Sequence, residues 1–189
     1  MIEIVNQENQ LVLLQLARKA LEYFVRESQL LKIDSKTLDE ALKQQGASFV
    51  TLHINEQLRG CIGTLVAHQP IYQDVLEHAI AAGTRDFRFP AVQEEELTSL
   101  HYEISLLSHP QPISYKNSQD LLNQLQVGEH GVVLSSGKQR ATFLPQVWQS
   151  LPNKEEFLGH LCLKMGVAAD AWRKQHYEVS IYQVQEFAE

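Results

Sequence analysis

Apolar positions early in the chain recur at helical spacing. Leu11, Leu14, Ala17, Leu21, Phe24 and Val25 fall on one side of residues 7–27, while Arg18, Lys19, Glu22 and Arg26 fall elsewhere. That pattern predicts an amphipathic helix. Asp34 or Ser35 then caps a short helix running from Ser35 to about Lys43. The period next switches to two. Residues 48–54 and 58–65 are predicted strands, joined by Asn55-Glu56-Gln57 as a three-residue hairpin loop. Setting Ile54 opposite Leu58 puts Val50, Leu52, Ile54, Leu58, Gly60 and Ile62 on one apolar face. Thr51, His53, Arg59 and Cys61 then share the other face, with Thr51 opposite Cys61 and His53 diagonal to it.

Ile71, Val75, Ala79 and Ala82 form the stripe of a helix over 71–83. It runs into the loop Thr84–Pro90, where Pro90 holds Phe89 extended. Residues 100–108 alternate as a strand that the His109-Pro110-Gln111-Pro112 segment ends. A short helix is predicted over 118–125. Val132–Leu134 and Gln139–Leu144 form a second hairpin around Ser135-Ser136-Gly137-Lys138. Pro145 opens a helical turn. Asn153 and Glu156 stand at capping-box spacing for a helix over 153–165, which Gly166 ends. Phe157, Leu158, Leu161, Cys162 and Met165 line its apolar face. A short helix near 168–173 and one or two strands through 176–187 finish the chain. This order predicts an α+β fold in which the 48–65 hairpin lies inside a larger antiparallel sheet, covered by the 7–27 and 71–83 helices.

The composition narrows the function classes. Hydrophobic residues at 44% and charged residues at 21% are those of a soluble globular chain. A net charge of −7 disfavours nucleic-acid and anionic-membrane binding, and aromatics are not interleaved with basic residues as an RNA-binding sheet requires. No apolar run approaches a membrane span, and the first residues lack a signal-peptide pattern. Cys61 and Cys162 form no disulfide framework, so a reducing cytoplasm and free thiols are expected. With no repeat and no Pro/Gly-rich linker, residues 1–189 are expected to form one domain whose lobes are tightly joined. Oligomeric state is open, because no symmetric interface can be read.

The densest chemistry lies in Leu58-Arg59-Gly60-Cys61-Ile62-Gly63-Thr64-Leu65. Glycine weakens a strand and more often marks a bulge or a close approach to the backbone. Cys61 is therefore a candidate reactive thiol, with Arg59 and His53 beside it. The alternative is a small buried hydrophobe, the reading adopted for Cys162. Arg59, Arg85, Arg88 and Arg140 are candidates for binding an anionic substrate. Structural pairing, for example with Asp86 or Glu103, is the reading set slightly ahead, because a buried Arg needs a partner in any case. His130, between Gly128 and Gly131, is either an acid/base group or a hydrogen-bonding loop histidine. His53, Cys61 and His130 offer soft metal donors, but no short-spaced ligand pair supports a metal, and no nucleotide-binding glycine pattern implies a cofactor.

Several stretches together resemble one family. They are the octet, Arg85-Asp86-Phe87-Arg88-Phe89-Pro90, Glu103–Ser108, Gly128-Glu129-His130-Gly131, Ala141–Val147 and Phe157–Gly166. In order, and over nearly the whole chain, they are similar to the AMMECR domain family, whose microbial members are also called AmmeMemoRadiSam system protein A. The resemblance implies antiparallel sheets with flanking helices in two closely packed lobes. It implies a pathway shared with a radical-SAM protein and a Memo-like protein, and it supplies no catalytic assignment. Phe87 departs from the family pattern, which usually has Pro or a small residue there. Two function classes follow. One is a thiol-dependent enzyme acting on a small anionic molecule or a modified side chain, with Cys61 as nucleophile or redox thiol, His53 or His130 moving the proton, and the arginines clamping the anion. The other is a non-catalytic partner of those two proteins. An accessible cleft holding Cys61 with convergent arginines favours the first; a buried Cys61 beside a large exposed apolar patch favours the second.

Overall fold

The computed structural model describes residues 4–189. The chain divides into two compact units. The first comprises residues 4–107 with Gln185–Glu189, and the second comprises Ser108–Val184.

The first unit begins with helix α1 (Gln7–Glu27), capped by Asn6 Oδ1 on the Asn9 N–H and ended by Ser28 in the left-handed region. Its buried face is Leu13, Leu14, Leu16, Ala17, Ala20 and Leu21. Leu11, expected in that stripe, is 61% exposed, because the face in contact is centred two positions further along. The helix expected from Ser35 to Lys43 is instead broken. A 3-10 turn spans Ser35–Thr37, and helix α2 (Glu40–Lys43) starts afresh where Asp39 takes the Ala41 N–H. Two aspartates each cap their own start, which splits one helix into two.

Strand β1 (Gln45–Ile54) is central to a sheet in which β2 (Gln57–Gly63) is the edge and β4 (His101–Leu107) the other neighbour, followed by β9 (Val184–Ala188). The short β3 (Gln69–Pro70) pairs with the start of β1. Helix α3 (Ile71–Thr84) and a 3-10 helix over Glu94–Ser99 complete the unit. The core joins Leu13, Leu21, Val50, Leu52, Val75, Ala79, Tyr102 and Ile104. Helices α1 and α3 thus lie on the apolar face of the sheet, as the period-two pattern requires. The sequence reading had not foreseen the 3-10 helix, β3, or the extension of β1 back to Gln45.

The hairpin differs in one respect that matters. Its loop is the two-residue turn Asn55-Glu56, both residues at positive φ (50° and 62°), not a three-residue loop. Val50–Leu52 pair with Ile62–Gly60 as expected, and Thr51 faces Cys61. The register then shifts, so that His53 faces Leu58 and Arg59 has no cross-strand partner. Arg59 is a β-bulge. The tighter turn advances the register by one, and the bulge absorbs the extra residue. Leu58 therefore lies on the His53 side, not the apolar side, and is 40% exposed.

The second unit carries a four-stranded sheet in the order β5 (Gln111–Ile113), β8 (Glu178–Tyr182), β6 (Gly131–Ser136), β7 (Gln139–Phe143), with antiparallel pairings. The β6–β7 turn is Gly137-Lys138 alone, shorter than the four residues expected. Helices α4 (Ser118–Gln124), α5 (Lys154–Met165) and α6 (Ala171–Lys174) accompany it. α5 starts with Asn153 Oδ1 on two backbone N–H groups and ends at Gly166, φ 87°. Its face of Phe157, Leu158, Leu161 and Cys162 is fully buried with Trp148 and Leu134. β8 and β9 are separate strands in different sheets, so of the one or two strands expected over 176–187 the structure has two. The fold is α+β with two antiparallel sheets.

Candidate functional site

β2 is an edge strand, so its outward backbone groups need partners other than a neighbouring strand. At Cys61 the loop after α3 supplies them. The carboxylate of Asp86 accepts the Cys61 N–H at 2.9 Å, and Arg88 Nη2 donates to the Cys61 carbonyl at 3.4 Å. Arg88 and Asp86 are themselves joined in a two-pronged pair, Nη2 to Oδ2 at 2.6 Å and Nε to Oδ1 at 2.9 Å. Asp86 also takes the Arg88 N–H, and its backbone oxygen takes the Phe89 N–H. The loop therefore caps the sheet edge with side chains, while Pro90 and the Val92 N–H to Gly83 O bond fix its exit. Asp86 is 4% exposed, and the Arg88 guanidinium, helped by the Cys61 and Arg88 N–H groups, holds its carboxyl well below the ordinary range.

The arginine beside Cys61 is therefore Arg88, not the sequence neighbour Arg59. The Arg59 guanidinium turns from the bulge to the 3-10 helix and grips Glu96, Nε to Oε1 at 2.7 Å and Nη2 to Oε2 at 3.0 Å. That guanidinium lowers the Glu96 pKa. Cys61 is half-buried, and its Sγ accepts the Thr51 hydroxyl at 3.2 Å, as the register required. His53 is half-buried on the same face and makes no hydrogen bond to the thiol. The glycines of the octet do admit a close approach, but by the protein's own atoms. A Cβ on Gly60 would lie 2.1 Å from the Ala82 carbonyl of α3, and one on Gly63 2.4 Å from the Phe49 ring and Ser48 O. Gly60 lets the helix lie directly on the sheet.

Phe87, between the two halves of this clamp, is 95% exposed. Arg85 is exposed and lines a separate cavity, described below. His130 and Arg140 belong to the second unit. His130 Nδ1 accepts the Gln126 N–H at 3.2 Å, its carbonyl takes Trp148 Nε1 at 2.7 Å, and burial lowers its pKa. Its ring thus serves a loop closure. Arg140 is exposed on β7 opposite Ser135. Cys162 is fully buried, and burial pushes its thiol pKa up.

One buried polar cluster escaped the sequence reading. Asp74 Oδ2 accepts the Ser48 N–H at 2.8 Å and the Ser48 hydroxyl at 2.6 Å, and lies 3.1 Å from His78 Nδ1. Ser48 and Asp74 are fully buried and His78 is 7% exposed. The three residue types suggest a hydrolytic triad, but the geometry is different. The serine hydroxyl donates to the carboxylate, with no solvent path to its oxygen, so the cluster ties β1 to α3. The sequence signal was an Asp and a His four apart within an apolar helical stripe. Among the described residues, no group of three or more His, Cys, Asp or Glu is arranged to hold a metal ion. No helix among them is long and apolar enough to cross a membrane.

The arrangement defines an α+β protein whose Arg-Gly-Cys-Ile-Gly edge strand is clamped by an Arg-Asp-Phe-Arg loop. The AMMECR1 family model matches residues 14–187. The chain belongs to the AMMECR1 family. It is 33% identical over 193 residues to a Thermofilum pendens protein, covering 94% of this chain and 88% of that one. It is 37% identical over 177 residues to a Methanosarcina barkeri protein, covering 92% and 87%. The crystal structure of the uncharacterized protein PH0010 from Pyrococcus horikoshii is similar to it with a TM-score of 0.83 at 28% identity, covering 99% of this chain and 94% of that one.

Proposed function

We propose that the protein is a docking component for another protein, with the Asp86-clamped loop as its contact element and Phe87 as the anchor. The observation that carries this is Phe87 at 95% exposure on a loop that Asp86 ties to β2 through the Cys61 N–H and to itself through the Arg88 N–H. A phenyl ring gains about 1.5–3 kcal/mol on burial. A loop already fixed in shape loses little entropy on binding, and aromatic anchors of this kind carry much of the energy of protein interfaces. The thiol reading is weaker on the same geometry. Arg59 and Arg88 are each committed to a carboxylate, so neither is a free anion clamp. Sγ of Cys61 has a hydroxyl donor beside it but no base within hydrogen-bond reach among the described residues. What favours thiol chemistry is the half-exposed sulfur itself, for which Cys61 would be the nucleophile and Arg88 the nearest cation.

The partner is drawn from the proteins that the family resemblance implies, a Memo-like protein and a radical-SAM protein. Calorimetry with each purified protein from the same organism tests this. Phe87→Ser is expected to weaken the complex at least about ten-fold, the loss of one buried aromatic, while leaving the melting temperature unchanged. No binding to either protein, or equal binding by Phe87→Ser, refutes the docking reading.

A further inference from the structure

Five of the seven arginines, Arg18, Arg26, Arg59, Arg88 and Arg173, have a carboxylate within ion-pair distance. Among the described residues of the first unit, Arg85 is the arginine without one. It stands at the C-terminal end of α3, where a cation complements the helix dipole. The dipole does not account for its surroundings. Arg85 lines a cavity of about 310 Å³ whose other walls include Leu30, Leu31, Leu76 and Ile80. Leu30 is 68% exposed, an apolar wall facing solvent. Leu76 and Arg85 are separated by nine residues of helix rise, about 13 Å. Glu77 also lines the cavity, its carboxylate holding the Gln69 amide at 2.9 Å.

We propose that this cavity binds an aliphatic monocarboxylate of medium chain length. The carboxylate pairs with the Arg85 guanidinium, which presents a planar fork of donors matched to it. The chain lies along Leu30, Leu31, Leu76 and Ile80, removing apolar surface from water. The volume is at the lower end for a small-ligand site, and the lining is mixed, with Gln69 and Gln73 beside Glu77 and Arg85 on its polar side. Glu77 supplies selectivity, because a second carboxylate at the far end of the chain meets a like charge. The site uses Arg85, two residues before Phe87 in the same loop, but not the Phe87 ring, so octanoate binding and partner docking are tested separately.

The probe is octanoate, titrated into the full chain by calorimetry and by amide chemical-shift mapping. The expected result is saturable binding with shifts at Leu30, Leu31, Leu76, Ile80 and Arg85. n-Octanol, which keeps the chain and lacks the charge, should bind the wild type about ten-fold or more weakly, as loss of a charge-assisted pair implies. Arg85→Gln should weaken octanoate by a similar factor. Octanedioate should bind the wild type poorly and recover in Glu77→Gln. Absence of saturable octanoate binding overturns the proposal. So does octanol binding as tightly as octanoate, a comparison that needs no variant. Arg85→Gln binding octanoate like the wild type also overturns it, as do shifts confined to another surface.

Discussion

Removing the Asp86 carboxylate tests the clamp on which the site geometry depends. In Asp86→Ala the outward N–H of Cys61 loses its acceptor, and β2, as an edge strand, has no neighbouring strand to offer another. A hydrogen bond to a charged acceptor contributes about 1.5–3 kcal/mol, and a buried donor without a partner costs about 1–3 kcal/mol. Cys61 is only half-buried, so water replaces part of the loss. Arg88 is exposed and regains water, so its ion pair adds nothing to the count. The expected destabilisation is therefore about 2 kcal/mol, from the single charge-assisted bond. Asp86→Asn keeps one neutral acceptor and should lose about half as much. Urea unfolding gives the global figure, and hydrogen exchange of the Cys61 amide reads the site directly. If exchange follows local opening, about 2 kcal/mol corresponds to a roughly thirty-fold acceleration. The folded carboxyl pKa lies below its unfolded value, so its contribution is present above about pH 4 and fades as pH falls from there. The gap between wild type and Asp86→Ala should narrow in that acid range. An unfolding free energy within about 0.5 kcal/mol of wild type, together with unchanged exchange at Cys61, would show that the loop does not hold the edge.

Two further outcomes follow from burial and titration. Cys61, half-exposed, should be alkylated by iodoacetamide in the folded protein well before Cys162, which is fully buried with a raised pKa; residue-resolved mass spectrometry showing equal rates would contradict the packing described for α5. The His130 pKa is lowered by burial, so the unfolded state binds the extra proton first, and stability should fall as pH drops below about 6.5. His130→Asn, whose amide oxygen can accept the Gln126 N–H without titrating, should lose less stability between pH 7 and 5 than wild type; parallel pH profiles in thermal unfolding would refute this.

What the sequence determined was local. The 3.6-residue stripe of α1, the alternation in β1 and the Asn153 and Gly166 caps of α5 are set by neighbours within a few positions, and each was legible. The pairing of Thr51 with Cys61 was expected from setting Ile54 opposite Leu58, and it stands although Ile54 faces Gln57, because the bulge offsets the shorter turn. The bulge at Arg59 was not, since it depended on whether Asn55-Glu56 turned in two residues or three. Only the tertiary structure decided which charges meet. Asp86 reaches Cys61 across 25 positions and Arg59 reaches Glu96 across 37, through a loop and a 3-10 helix with no periodic signal. The buried Asp74 accepts from Ser48 across 26 positions, and an acidic residue in a helix's first turn is ordinarily read as a solvated cap. Hydrophobic periodicity reports which face is buried. It carries no information on which polar group a backbone N–H finds once the faces have closed, because those partners are fixed by chain reversal and packing distance rather than by spacing along the sequence.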